Sequence, residues 1–251
     1  MTYIYPQAEP FFLTGSGETA LLFIHGFTAS PSELHPTAYL IHELCGCTLS
    51  SPLLPGHGSS PRILNLTKWD EWYGAVEKEL LFLMEKYERV FVGGLSMGAL
   101  LALHAACHIS GLKGAISINA PLSNHSPILT AVSPLIRHIR PFYPKRNGLR
   151  MRELQEEGRF AYDVIPVKAF QSVMNMRSTV IQELDKIDLP VLIIQSLQDE
   201  SVRPRSAYYL QEKIEKSQLV ELPNSDHVAT MGKEKDKIAY AIVDFISCKG
   251  K

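Results

Sequence analysis

Short apolar runs alternate along the chain with longer stretches in which apolar residues recur every three or four positions. "TALLFIHGF" (Thr19–Phe27), "RVFVGG", "LKGAISINA" (Leu112–Ala120), "PVLIIQS" (Pro190–Ser196) and "QLVELP" (Gln218–Pro223) are nearly continuous in apolar character. Such runs suit strands covered on both faces, as in a parallel sheet. "CTLSSPLLPGHG" (Cys47–Gly58) reads as a strand running into a Pro/Gly loop. Between these runs, Thr67–Tyr87 forms an amphipathic helix opened by Thr67. Further helices are expected over Met97 to about His108, Pro204–Glu215 and Lys233 to about Ile246, with another beginning at Ser30-Pro31-Ser32-Glu33. Strands alternating with helices of this length predict an α/β fold, a mostly parallel central sheet with helices on both faces.

One region breaks the rhythm. Pro121 to about Thr179 holds no convincing core strand. It carries scattered prolines and a basic cluster of Arg137, Arg140, Lys145, Arg146, Arg150 and Arg152. A stretch that long between two core strands is a helical insertion or a mobile cover. The basic cluster could draw in an anionic substrate or a lipid surface, but such clusters more often form a solvated face.

Composition narrows the function classes. The 251 residues are 45% hydrophobic and 20% charged, with a formal net charge of -1, which suits one globular α/β domain over residues 1–251. Near-neutral charge gives no electrostatic footprint for nucleic acid or an anionic membrane. No basic segment followed by an apolar core opens the chain, and no apolar run is long enough to span a bilayer. The expectation is a cytoplasmic protein without stable membrane insertion, a monomer or weak dimer. Cys45, Cys47, Cys107 and Cys248 complete no zinc-site spacing and read as reduced thiols.

Chemistry enters at Gly94-Leu95-Ser96-Met97-Gly98. The pattern G-x-S-x-G is weak alone, but here an apolar strand precedes it and a helix follows. So tight a turn lifts Ser96 Oγ above the strand's carboxyl end, beside the amides of a helix N-terminus. A serine hydroxyl needs a base to take its proton. His227, in "LPNSDHVAT" after the last strand, sits over the same sheet edge. His57 in Pro55-Gly56-His57-Gly58 is the rival base, while His104 and His108 fall on the helix after Ser96 and suit packing or surface. The base needs an acceptor, and Asp199 follows the strand "VLIIQS", giving the order Ser…Asp…His. Asp226 is badly placed to reach its own neighbour, and Glu200 and Asp188 are weaker candidates. Attack on a carbonyl creates an oxyanion, whose donors would be the backbone N–H groups of Met97 and of Phe27 in "HGF". Phe27 would also wall the acyl group, and His25 would brace this loop.

These pieces resemble the α/β-hydrolase superfamily, and within it the small bacterial carboxylesterases and monoacylglycerol lipases. The likeness rests on "AEPFF", "LLFIHGFTASP", "PGHG", "FVGGLSMG", "SINA", "AYDVIP" and "NSDHVAT". It implies Ser96, Asp199 and His227 as a catalytic triad and Phe27 and Met97 as the oxyanion hole. It also implies a small, mainly helical cap over residues 121–179, inserted after the Leu112–Ala120 strand and lining the alcohol side of the pocket. Asn119 resembles a glycerol-contacting position. Two departures stand out. Ala99 replaces a frequent glycine, and Arg159 occupies the position where the monoacylglycerol lipases carry a glycerol-binding glutamate. The expected substrate is therefore a small-molecule carboxylic ester with a short to medium acyl chain, cleaved through an acyl-enzyme without metal or cofactor. Activity should fall in acid as the His227 imidazole takes up a proton. Monoacylglycerol lipase, a hydrolase of amides, thioesters or diketones, and a non-catalytic ligand receptor are the alternatives.

Overall fold

The computed structural model describes residues 3–123, 140–145, 154 and 156–248. In chain order the elements are β1 (Phe11–Leu13), β2 (Thr19–Ile24), α1 (His35–Cys45), β3 (Thr48–Ser51), α2 (Pro61–Leu64), α3 (Trp69–Met84), β4 (Arg89–Leu95), α4 (Met97–His108) and β5 (Gly114–Ile118). They continue as β6 (Phe142–Pro144), β7 (Val164–Pro166), α5 (Val167–Glu183), β8 (Val191–Ser196), α6 (Arg205–Lys213), β9 (Ser217–Leu222) and α7 (Lys235–Cys248).

A seven-stranded sheet runs in the order β1-β3-β2-β4-β5-β8-β9. All neighbours pair in parallel except β1, which lies antiparallel on β3. Side chains alternate between the two faces, as a pleated strand requires. Leu21, Phe23, Phe91, Ile116 and Ile194 pack with Ala38 and Ile41 of α1 and with Ile238, Ile242 and Phe245 of α7. Ala20, Leu22, Ile24, Val90, Val92 and Ile193 pack instead with α3, α4, α5 and α6 through Trp72, Leu100, Val173 and Leu210. Each fully buried large side chain contributes about 1.5–3 kcal/mol. Helix α4 is buried from Met97 to Ala106, as its continuous apolar sequence requires.

The register sets the carboxyl ends of the central strands level. Ile24 lies opposite Gly94, Leu95 opposite Ile118 and Ser196 opposite Leu222. The chain order reverses direction between β2 and β4, so the loops leaving those strands diverge and open a crevice. The loops after β5, β8 and β9 reach the same rim.

The start of the first helix differs from the sequence expectation. Residues Pro31–Glu33 form a single 3₁₀ turn, and α1 begins only at His35. Cys45 closes α1, and Gly46, at φ 63°, turns the chain before Cys47. The short edge strand β1 was not legible in three residues. Within residues 121–179, β6 and β7 pair antiparallel, and position 179 falls inside α5. Arg137, Arg146, Arg150 and Arg152 lie outside the described residues.

Candidate active site

The turn at Ser96 is dictated by how closely α4 crosses the sheet. A Cβ on Gly98 would stand 2.1 Å from the Ile24 carbonyl oxygen, and one on Gly94 2.3 Å from the Gly98 carbonyl carbon. Only glycine fits at either position. Between them Ser96 takes φ 57° and ψ -114°, outside the relaxed regions for a residue with a Cβ. Strain of this kind costs on the order of 1–3 kcal/mol and persists where surrounding bonds over-determine it. Here Ser96 N–H donates to the Ile118 oxygen at 2.8 Å, while its own carbonyl accepts from Ala99 and Leu100.

His227 leaves the loop after β9 with Nε2 3.0 Å from Ser96 Oγ. Its Nδ1 lies 2.7 Å from Asp199 Oδ2. Asp199 Oδ1 accepts the backbone N–H groups of Ser201 at 2.7 Å and Val202 at 2.8 Å. With the carboxylate accepting at both oxygens, the imidazole proton belongs on Nδ1, and the Nε2 lone pair is turned to the serine hydroxyl. Asp199 is only 3% exposed, whereas the His227 side chain keeps 26% of its surface. The acceptor is thus shielded and the base is open to a reactant. Asp226 accepts the N–H of Val228 and turns back on its own loop. Asp188 pairs with Lys216.

The loop after β2 passes directly beside the serine. A Cβ on Gly26 would be 3.5 Å from Ser96 Cβ. Gly26 N–H is held by Glu33 Oε1 at 2.6 Å. Among the described residues, the next amide, Phe27 N–H, and that of Met97 have no hydrogen-bond partner. For Met97 this is the normal condition of a helix's first turn. His25 braces the same loop: Nδ1–H donates to the Gly26 oxygen at 2.9 Å and Nε2 accepts from Leu54 N–H at 3.2 Å. Burial drives its pKa down to about 4, which keeps that tautomer neutral. His57 is equally buried, held well below its ordinary pKa by desolvation and by His25, and packs edge-on to His25 and Trp72. It makes no hydrogen bond to Ser96, so the rival base is not brought to the serine.

Asn119 is fully buried at φ 49°. Its Nδ2 donates to Ser196 Oγ at 3.0 Å and to the His227 carbonyl at 2.9 Å, and its Oδ1 accepts from Ser196 N–H. The amide ties the loop that carries His227 to the end of β8. The Phe27 ring lies 6.0 Å from Trp72, 6.5 Å from Phe170 and 6.3 Å from His57 in an aromatic wall.

Sequence reasoning missed Glu33. It is 2% exposed, and desolvation raises its pKa against the opposing pull of Arg159. Arg159 Nη2 stands 3.8 Å from its carboxylate. Half-buried Lys145 shares this cluster, its pKa pushed down to about 8 by burial and by Arg159. Thr230 Oγ1 ties the Glu33 carbonyl to the His227 loop at 2.7 Å. The available signal was a lone carboxylate in the small-residue stretch "TASPSEL", read only as a helix start.

A strained serine between two close-packed glycines, an imidazole on its hydroxyl and a buried carboxylate behind the ring together match a known family. A model of the alpha/beta hydrolase family covers residues 21–239. The chain belongs to this family. Among curated relatives of this alpha/beta hydrolase, a thermostable monoacylglycerol lipase of Bacillus sp. (strain H-257) is 29% identical, over 96% of this chain and 94% of its own length. A carboxylesterase of Bacillus subtilis (strain 168) is 26% identical over 95% of this chain and 96% of its own. Among solved structures, one from a study of the metagenome-derived lipolytic enzymes LipS and LipT superposes with a TM-score of 0.88 at 29% identity, covering 98% of this chain and all of that one. A Paleococcus ferrophilus monoacylglycerol lipase shares the fold, with a TM-score of 0.79 at 19% identity over 96% of this chain and all of that one. No helix among the described residues is long and apolar enough to cross a membrane.

Proposed function

We propose that this alpha/beta hydrolase is a carboxylic ester hydrolase working through an acyl-enzyme on Ser96. The observation that carries the reading is the continuous hydrogen-bonded line from Ser96 Oγ through both His227 nitrogens to Asp199, at 3.0 and 2.7 Å. Ser96 attacks the ester carbonyl while His227 Nε2 takes its proton, and Asp199 holds the resulting imidazolium. The N–H groups of Phe27 and Met97, without a partner among the described residues, receive the oxyanion. His227 then protonates the departing alcohol, and water enters by the same route to release the acid and restore Ser96.

The segment from Pro121 to about Thr179 serves as a cap over the crevice. Its support is Tyr162, whose N–H bonds the Thr28 carbonyl at 2.8 Å and whose hydroxyl bonds the Gly56 carbonyl at 3.1 Å. The insertion is thereby fastened to two loops at the rim. The aromatic wall of Phe27, Trp72 and Phe170 suits an acyl chain of short to medium length.

A second reading, monoacylglycerol lipase, is favoured by the name of the Bacillus sp. (strain H-257) relative. Arg159 speaks against it, because a guanidinium drawn toward Glu33 cannot accept a hydrogen bond from glycerol. A panel of 4-nitrophenyl esters of rising acyl length, run beside monoacylglycerols, separates the readings. Turnover of the short and medium esters with little glyceride cleavage is expected, and a strong preference for monoacylglycerols would reverse the order.

A further inference from the structure

Away from the crevice, α4 and α5 meet in a cluster that ester hydrolysis does not use. His104 and His108 stand four residues apart on α4 and so share one face of the helix. Glu183, the last residue of α5, lies between their rings. Its Oε2 is 2.8 Å from His104 Nδ1 and its Oε1 is 3.1 Å from His108 Nε2. One ligand atom from each of the three side chains falls within 4.8 Å of the others.

We propose that His104, His108 and Glu183 form a binding site for a first-row divalent cation, with zinc as the preferred ion, which clasps the outer ends of α4 and α5. Two imidazole nitrogens and a carboxylate oxygen are the donor set that borderline ions such as zinc take. Ligand atoms bound to zinc at about 2.0–2.1 Å in tetrahedral geometry stand roughly 3.4 Å apart, so the carboxylate moves back slightly from each ring, from 2.8 and 3.1 Å, and the two imidazole nitrogens settle within the 4.8 Å that bounds the cluster. His104 is buried and fixed, its ring 4.5 Å from Tyr73 and 5.2 Å from Trp69. The His108 side chain is 43% exposed, which gives an ion a way in and leaves room for water as a fourth ligand. Tyr73, whose ring packs on His104, has its hydroxyl buried without a hydrogen-bond partner among the described residues, the kind of donor that a metal-bound water satisfies.

The place in the fold gives the ion its effect. His108 lies about 18 Å along α4 from Ser96, too far to take part in acyl transfer. The far ends of the two helices matter more. Helix α4 begins at Met97 beside the nucleophile, and α5 carries Phe170 to the aromatic wall. A clasp at the outer ends holds the two elements that frame the pocket without touching the chemistry.

The test uses untagged full-length protein freed of metal by chelation and dialysis. Zinc at about a hundredfold over its Kd should raise Tm by roughly 5–10 °C. Cobalt(II) should give the visible absorption of a low-coordinate nitrogen and oxygen site. Both signals should vanish in His108→Ala and Glu183→Gln, while each variant keeps its ester turnover within about twofold. If zinc leaves Tm unmoved up to millimolar concentration, or if the shift survives His108→Ala, the cluster is a metal-free hydrogen-bonded staple and the proposal fails. Tm and cobalt absorption do not depend on ester turnover, so this outcome and a failure of the ester hydrolase reading are read separately.

Discussion

Asp199 spends one carboxylate oxygen on two backbone N–H groups and the other on His227, so its orientation is fixed before any substrate arrives. Asp199→Asn presents an amide that cannot accept equally at both positions and favours the wrong imidazole tautomer. Turnover of a 4-nitrophenyl ester should drop on the order of 10³–10⁴-fold with Tm little changed, and a loss of tenfold or less would remove Asp199 from the mechanism. His25 allows a different test. Its pKa falls from 6.5 to about 4 on folding. Across that window the unfolded chain binds a proton that folded His25 refuses, so its share of stability is present above pH 6.5 and declines as pH drops toward 4. The loss amounts to about 3 kcal/mol. Buried His57 acts in the same direction, and Glu33, whose pKa is raised, acts in the opposite one. The difference between wild type and His25→Gln isolates the single residue. Urea unfolding should show that difference moving by about 3 kcal/mol in favour of the variant between pH 7 and pH 4, and a flat difference would refute the buried neutral imidazole.

The strand–turn–helix unit β4–α4 is held by contact distances that leave no room for a methyl group. Gly98→Ala sets a Cβ against the Ile24 carbonyl oxygen, so either the helix withdraws or β2 bends. A cost of about 3 kcal/mol in urea unfolding is expected, with ester turnover falling further than stability because Met97 N–H moves with the helix. Unchanged turnover would mean that the position of α4 does not govern the site. The loop after β2 invites a paired experiment. Glu33→Gln keeps an acceptor for Gly26 N–H, while Glu33→Ala leaves that buried donor unpaired at a cost of about 1–3 kcal/mol. Turnover should follow the order wild type, Gln, Ala, and equal losses in both variants would show that the charge and not the hydrogen bond matters.

These elements also show how far a sequence can be read. Parallel strands advertise themselves as continuous apolar runs because both their faces are covered, which is why β2, β4, β5 and β8 were legible. The serine was legible because its two glycines answer to a steric demand that any strand-to-helix crossing of this kind makes. Strand β1 was not, since three residues on an edge carry no period. The role of Asn119 was hidden because its partners, Ser196 and the His227 carbonyl, lie 77 and 108 residues away. Glu33 was hidden for a similar reason. A carboxylate after Ser30-Pro31-Ser32 reads as part of a helix start until the fold buries it beside Arg159.

At the scale of the molecule, the fold converts five strand ends into one rim. The loops after β2, β4, β5, β8 and β9 supply Phe27, Ser96, Asn119, Asp199 and His227 in turn. No two of these come from the same loop, so the site exists only when the whole sheet is assembled. Reversible unfolding should therefore abolish ester turnover in step with loss of the sheet, with no active partly folded state. The most direct measurement is covalent. The protein is treated with a serine-directed fluorophosphonate at neutral pH and the adduct is located by peptide mass mapping. The account predicts one adduct, on Ser96, with ester turnover lost in proportion to labelling and no adduct in Asp199→Asn on the same timescale. An adduct on another residue, or full turnover retained by a protein labelled at Ser96, would contradict it.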